Sequence, residues 1–489
     1  MTGVRAFLVG SFTALGIVTS AVPAAAQDGK DFVTRTIDAR AATYGQLAQQ
    51  IWDLAEVGYL EEKSSALLQA ELRAAGFTIE AGVAGMPTAF VASWGSGGPV
   101  IGILAEFDAL PGITQERVPE RKPRPDNEAG HACGHHLFGA GSTAAAIAVK
   151  QWLETSRTRG TIRLYGTPAE EGGAGKVYMV RAGLFRDVDA VLHWHPGSGN
   201  SASPSASLAN KSAKFRFHGV SAHAAAAPER GRSALDGVEA MNHMVNLMRE
   251  HVPQETRIHY VITAGGSAPN VIPDFAEVFY YVRHPDPAQV QELFERVAKA
   301  AEGAALGTGT RVEHEVIHGI YAMLPNLALA QVMQTNLERV GGVRYDAEET
   351  QFAEALRRSL PEDAPALDDA ARVQPFRESA PAGGSTDVAD VSWVVPTVGL
   401  RTATWVPGTA AHSWQAVAAG GTSIGEKGMV VAAKTLAMTA VDLFTRPDVL
   451  AAARAEQTKR QGPGFVYRSL VGDRSPPLDY RKPARSGAR

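Results

Sequence analysis

The chain has 489 residues, 45% of them hydrophobic and 20% charged, so it is ordinary for a soluble globular protein and long enough for more than one buried core. Lys plus Arg number 47 and Asp plus Glu 51, giving a formal net charge of −4 that argues against nucleic acid as a partner. A single cysteine excludes an internal disulfide.

In chain order, Arg5 is followed by the apolar run 6–22, and Ala24-Ala25-Ala26 precede Gln27. This pattern predicts a secretory signal peptide over 1–26, too short and too weakly flanked for a membrane span, with an uncleaved anchor as the alternative. No later stretch reads as long and apolar enough to cross a bilayer. The mature protein is therefore expected to be exported, in the periplasm, with no membrane contact after signal cleavage. In an oxidising compartment the lone Cys133 is either a spectator or a chemical group.

Helical spacing covers 38–56 and 61–76, the second ending at Gly76. Residues 89–94 read as a strand, and 100–105 as a buried parallel strand leading into Glu106-Phe107-Asp108-Ala109-Leu110-Pro111-Gly112. A polar loop (116–128) precedes His131-Ala132-Cys133-Gly134-His135-His136 and an Ala-rich helix over 137–153. The unit then repeats: strand 161–166 before Glu170-Glu171, helix 176–182, and strand 188–192 leading into His193-Trp194-His195. Each chemical motif thus sits just past a strand, the edge where open α/β sheets bind ligands.

A Ser/Ala/Pro-rich connection (198–208) resembles a domain junction. Residues 211–322 follow a β-α-β-β-α-β order, the ferredoxin-like pattern. Helical spacing resumes over 325–341, 359–384 reads as a polar surface loop, 396–400 as a last core strand and 425–444 as a last helix. The predicted organisation is a catalytic α/β domain (27–207 and 323–446) interrupted by an α+β insert (208–322). An Arg-rich tail (447–489) follows, read as an extension or partly disordered.

Cys133 and His135, with Gly134 between them to allow a tight turn, offer a thiolate and an imidazole to one point. Buried cysteine beside capping histidines is the plainer reading. Of the three histidines in the motif only one or two can bind, and His136 is the least suited by spacing. In Glu170-Glu171 one carboxylate can hold a cation and its neighbour can take a proton from water; a solvated acidic turn is the alternative. His193 and His195 follow a core strand, and one of them can face a metal while the other is structural. His412 lies in a late loop. Asp108 is a turn former or an acid that orients a ligand histidine. His223 and Asn270, in the insert, read alone as a surface histidine and a turn residue.

Six pieces occur in order: residues 107–112, 131–136, 166–173, 193–197, 219–235 and 269–274. Together they resemble the aminoacylase/carboxypeptidase-type metallo-amidohydrolases. The late pieces 383–397 and 407–415 are similar to the branch that hydrolyses p-aminobenzoyl-glutamate. The resemblance spans about 40 to 445. It implies a mixed-sheet, two-metal aminopeptidase-like catalytic domain with a ferredoxin-like lid and dimerisation domain. It also implies two divalent ions, Zn or Mn. By motif position the metal ligands fall on Cys133, His135, Glu171, His195 and His412, and the general base on Glu170. His223 matches a histidine that holds the substrate carbonyl, in many relatives from the partner subunit, and Asn270 matches a substrate contact. The chain departs from the pattern at His136, where Asp or Asn is usual, and at Glu106, where many relatives have Asp. Arg283 and Arg401 are weak matches for the residue that grips a substrate carboxylate.

The expected function is therefore metal-dependent amide hydrolysis of N-acyl or N-aroyl amino acids or small peptides by metal-activated water, in a homodimer or with a separate partner subunit. A catalytically idle, exported metal- or peptide-binding protein of the same fold is the competing reading. The complete ligand set plus base weighs against it.

Overall fold

A computed structural model of the chain describes residues 24–204, 206–379 and 384–481. The predicted leader lies outside the described residues as far as residue 23. Helix α1 (Ala24–Ala39) is followed by α2 (Ala41–Leu54) and α3 (Glu62–Ala74). The helix expected from residue 38 is thus the second of two, separated at Arg40, which has non-helical backbone angles.

Next come strands β1 (Thr78–Ala81), β2 (Phe90–Ser96) and β3 (Val100–Ala105), then a two-stranded ribbon of β4 (Leu110–Pro111) and β5 (Ala129–Gly130). Helix α4 (His135–Ser156), β6 (Gly160–Gly166), the single turn α5 (Glu170–Gly173), α6 (Gly175–Arg181) and β7 (Ala190–Gly197) complete the first segment. Strands β8 (Ala209–His218), β9 (Arg257–Ala264), β10 (Phe275–His284) and β11 (Arg311–Ile320) follow, with α7 (Ala234–Met248) after β8 and α8 (Pro287–Thr308) after β10. The chain continues through α9 (Leu327–Val340), α10 (Ala347–Arg357), α11 (Val388–Ser392), β12 (Thr397–Ala403), α12 (Trp414–Gly420), α13 (Ser423–Thr445) and α14 (Pro447–Gln461).

The larger sheet runs β1-β2-β6-β3-β7-β12. Strands β6, β3, β7 and β12 are mutually parallel, while β2 and β1 add an antiparallel edge. The parallel strands are apolar because both faces are covered: Ile101, Ile103 and Leu104 of β3 and Ile162 and Leu164 of β6 are fully buried. Each such side chain contributes roughly 1.5–3 kcal/mol of burial free energy. Helices α4 and α13 pack on each other and on this sheet. Contrary to the reading that no stretch beyond the leader could cross a bilayer, α13 is long and apolar enough by length and composition. Most of it is buried inside the protein, against α1, α4 and α9, so it is a core helix.

The smaller sheet has the order β11-β8-β10-β9, antiparallel throughout. Helices α7 and α8 pack on each other and on its strands, and Phe215, Phe217, Val278, Tyr280 and Phe294 fill its separate core. This is the ferredoxin-like arrangement that the element order predicts.

The reading of the stretch from 447 as an extension needs correction. Helix α14 packs on α9 and α13. Its apolar periodicity is faint, since only Val449, Ala453 and Gln457 are buried, so the pattern alone did not reveal it. Residues 462–481 then run back over the fold, with Tyr467 hydrogen-bonded to Asp390 and Leu470 buried against Gly319. The expected loop 359–384 is irregular apart from a 3-10 turn at Leu367–Ala371, and its residues 380–383 lie outside the described residues.

Candidate active site

The C-terminal ends of the parallel strands deliver most of the site. Beyond β3 lie Glu106 and Asp108, beyond β6 lie Glu170 and Glu171, His195 is near the end of β7, and the loop after β12 carries His412. Cys133 and His135 stand at the start of α4, whose N-cap Gly134 has φ +77°. That backbone suits glycine, and a Cβ there would sit 2.6 Å from Pro196. The turn therefore fits closely against β7 and aims both side chains at the strand ends.

Three groups of ligand-type atoms converge, with all atoms of each group within 4.8 Å of one another: Cys133, His135 and His195; Cys133, Glu171 and His412; and Glu106, His135 and Glu170. The first two share the Cys133 sulfur. All five expected ligands thus meet, and the expected base Glu170 stands beside them. His223 and Asn270 do not join this cluster.

Hydrogen bonds settle which histidine nitrogens face inward. His135 sets Nδ1 2.8 Å from Asp108 Oδ1 and Nε2 3.1 Å from Glu106 Oε2, and despite burial the Cys133 sulfur and these two carboxylates raise the ring's pKa well above the usual imidazole value. His195 donates from Nδ1 to the Pro196 carbonyl at 2.8 Å, so its Nε2 faces the Cys133 sulfur at 3.4 Å. His412 adopts φ +59° and places Nε2 3.1 Å from Glu171 Oε1, an oxygen that is buried and has no hydrogen-bond partner. Asp108 is the organiser that the sequence suggested. Its Oδ2 also accepts from the Glu171 amide at 2.9 Å, so one carboxylate aligns ligands from α4 and α5.

The remaining motif histidines are structural. His136 donates to the Gly420 carbonyl at 2.9 Å and His131 to that of Ile51 at 3.1 Å, both fully buried with rings 4.8 Å apart. His193 is not among the converging ligand atoms, and its ring lies against Gly399.

Electrostatics follow from burial. The Cys133 thiol pKa is pushed up by desolvation, with Glu171 and Glu170 opposing ionisation further. The Glu170 carboxyl pKa is raised well above the usual range, first by burial and then by Glu171. His195 is held neutral by burial. His412 is shifted upward by its contact with Glu171. The Nε2 lone pair of His195, the buried Glu171 oxygen and, once a bound cation displaces its proton, the Cys133 sulfur form a donor set suited to divalent cations.

Sequence reasoning missed the supporting groups. Lys176 is fully buried and bridges Glu106 Oε1 and Asp387 Oδ1, each at 2.7 Å. Glu61, buried with a pKa raised to about 8 by desolvation and by Asp108, accepts from the Ala169 amide at 2.8 Å and so fixes the turn before Glu170. The Glu106-x-Asp108 pair at the end of a buried strand was a usable signal for Glu106. Nothing local marks Lys176, Asp387 or Glu61.

His223 and Asn270 lie together on the smaller domain, exposed. His223 pairs with Val271 in an isolated bridge, and the Ala224 amide donates to the Asn270 carbonyl at 3.0 Å. The amides of Ala225 and Ala226 both donate to His223 Nδ1 at 3.2 Å. Nδ1 is therefore an acceptor, and Nε2–H is the donor that the ring offers outward.

Comparison with known proteins agrees with this geometry. The family model described as peptidase family M20/M25/M40 matches residues 102–415. The chain is 41% identical over 451 residues to one of the subunits of the Escherichia coli p-aminobenzoyl-glutamate hydrolase, covering 87% of this chain and 94% of that protein. It is 31% identical to a Mus musculus Xaa-Arg dipeptidase, covering 86% and 90%. Two solved structures share the fold. An aminobenzoyl-glutamate utilization protein from Klebsiella pneumoniae has TM-score 0.59 at 22% identity, covering 83% of this chain and 97% of that one. A dinuclear metal binding peptidase of the M20 family from Bacillus subtilis has TM-score 0.55 at 20% identity, covering 85% and 99%. The chain belongs to peptidase family M20/M25/M40 and is an amidohydrolase of that family.

Proposed function

We propose that the protein hydrolyses the amide bond of N-acyl or N-aroyl amino acids or small peptides, of the p-aminobenzoyl-glutamate type, with two divalent cations held by Cys133, His135, Glu171, His195 and His412. The observation that carries this reading is the pair of three-ligand groups that share one sulfur. The names of the hydrolase and dipeptidase relatives support the substrate class. When bound, zinc or manganese would polarise the substrate carbonyl and acidify a water.

The chain's own residues supply the rest. Glu170 takes a proton from the attacking water and returns it to the leaving amine. Asp108 keeps His135 and Glu171 aligned. His223, through Nε2–H, donates to the carbonyl oxygen as it gains charge, and Asn270 contacts the substrate.

Because His223 and Asn270 are exposed on the lid, we assign them to the site of a second copy in a homodimer. Strand β9 supports this: it is a sheet edge that exposes Tyr260, Val261 and Ile262. Two Escherichia coli relatives are named as different subunits of one hydrolase, which favours a second reading with a separate partner subunit. We further propose export to the periplasm, on the pattern of residues 1–26.

The test is release of p-aminobenzoate from p-aminobenzoyl-glutamate, and of amine from a panel of N-acyl amino acids and Xaa-Arg dipeptides, with metal analysis of the same sample. Activity should vanish on chelation and return with two ions per chain. Two bound ions without turnover of any substrate would favour the idle binding protein instead.

A further inference from the structure

We propose that Tyr480 and Arg481, on the segment after α14, are positioning residues for the acidic turn of the active site. The inference rests on the assignment of Glu171 as a ligand and Glu170 as the base.

Glu171 is the awkward residue of α5. It has φ −70° and ψ 69°, outside the helical region, and Gly172 follows at φ +91°. Its carbonyl is therefore turned out of the helix and needs partners from elsewhere. Two reach it from the far end of the chain: the Tyr480 hydroxyl at 2.9 Å and Arg481 Nη2 at 2.7 Å. On the other side of the same residue the amide is held by Asp108. Both peptide groups flanking the Glu171 side chain are thus fixed, one by the residue that orients His135 and one by this segment. Without the second restraint, the ψ of Glu171 and the φ of Gly172 are free to relax, and both carboxylates move with them.

The segment is built to hold that position. The Tyr480 ring packs edge-on against Tyr59 at 5.7 Å, and Tyr59 donates to the Gly173 carbonyl at 2.8 Å. The Tyr480 hydroxyl lies over Gly58, where a Cβ would collide with it. Upstream, Arg474 donates to the Ile317 carbonyl at 2.6 Å and pairs with Glu315 at 2.9 Å, both on β11 of the smaller domain. The segment therefore spans from the lid sheet to the acidic turn.

The experiment uses the full chain with Tyr480→Phe, Arg481→Ala, Arg481→Lys and the Tyr480→Phe/Arg481→Ala double. Three quantities are measured: kcat and KM on the best substrate, affinity for Zn²⁺ by competition with a chromogenic chelator, and Tm of the metal-free protein. The double should lose about 10–100-fold in kcat and bind one of its two ions correspondingly more weakly. KM should move less than kcat, and Arg481→Lys should recover part of the loss. Tyr480→Phe removes one hydroxyl and keeps the ring, so it decides the matter if the double fails to fold. Wild-type kcat and chelator competition in Tyr480→Phe and in the foldable Arg481 variants would overturn the inference. So would a lower Tm with unchanged ion affinity, which marks a merely structural contact. If the wild type turns over nothing, the functional reading fails, while the ion competition still tests the positioning.

Discussion

The two regions that carry chemistry differ in how they are held. The Cys133 cluster is built from four strand ends and a helix start, with three of its five ligands fixed by a second bond: Asp108 on His135 and Glu171, the Pro196 carbonyl on His195. The His223–Asn270 corner is exposed, ordered only by local backbone contacts, and meets no ligand of the cluster. One region converges within a single chain, and the other, in the dimer we propose, would serve a second copy. Preorganisation by the fold marks the first; the free Nε2–H of His223 marks the second.

The hardest test of the buried half is Glu170→Ala. We expect kcat to fall about 10²–10⁴-fold with both ions retained; wild-type kcat with a full metal complement would place the base elsewhere. For the exposed half, His223→Ala should cost about 10²–10³ in kcat and leave metal content unchanged. Mixing His223→Ala with Glu170→Ala subunits and allowing exchange should then restore activity, because each hybrid dimer regains one intact site. No recovery despite demonstrated exchange would mean that His223 serves its own chain or none.

The organiser within the cluster should matter less than the base. Asp108→Asn leaves the ligands in place and removes one of two restraints, so a loss of about 10–100-fold in activity or metal affinity is expected, read by chelator competition. The smallest effect tests burial away from both regions. The fully buried Asp390 has its pKa raised to about 7, first by desolvation. Its folded-state pKa exceeds the ordinary value of about 4, so its stabilising contribution is full below about pH 4 and is lost as pH rises through about 7. The Tm of wild type minus that of Asp390→Asn should therefore decline across that interval. A flat difference would show that Asp390 titrates normally in the fold.

Much of this was legible in the chain itself. The apolar run 100–105 read as a buried parallel strand because both faces are covered, and 161–166 read as a strand repeating the unit. The β-α-β-β-α-β order read as a ferredoxin-like unit because its elements are local. Cys133, His135, Glu170, Glu171, His195 and His412 could be singled out because each is a ligand or acid type placed near a strand end. The break at Arg40 was missed, since helical spacing continues across it. Helix α14 was missed because its apolar face is too thin to show a period. Tyr480 and Arg481 were invisible because they reach Glu171 across more than 300 residues of chain.

The order and chemical type of residues determined the elements, the candidate ligands and the division into two sheets, since those depend on neighbours a few positions apart. Only the tertiary structure decided which lone pairs face one another, that one sulfur is common to two ligand groups, and that His223 stands apart from them. Those facts depend on distances between segments far apart in the chain, set by the packing of strand ends and helix starts. Local pattern carries no record of them.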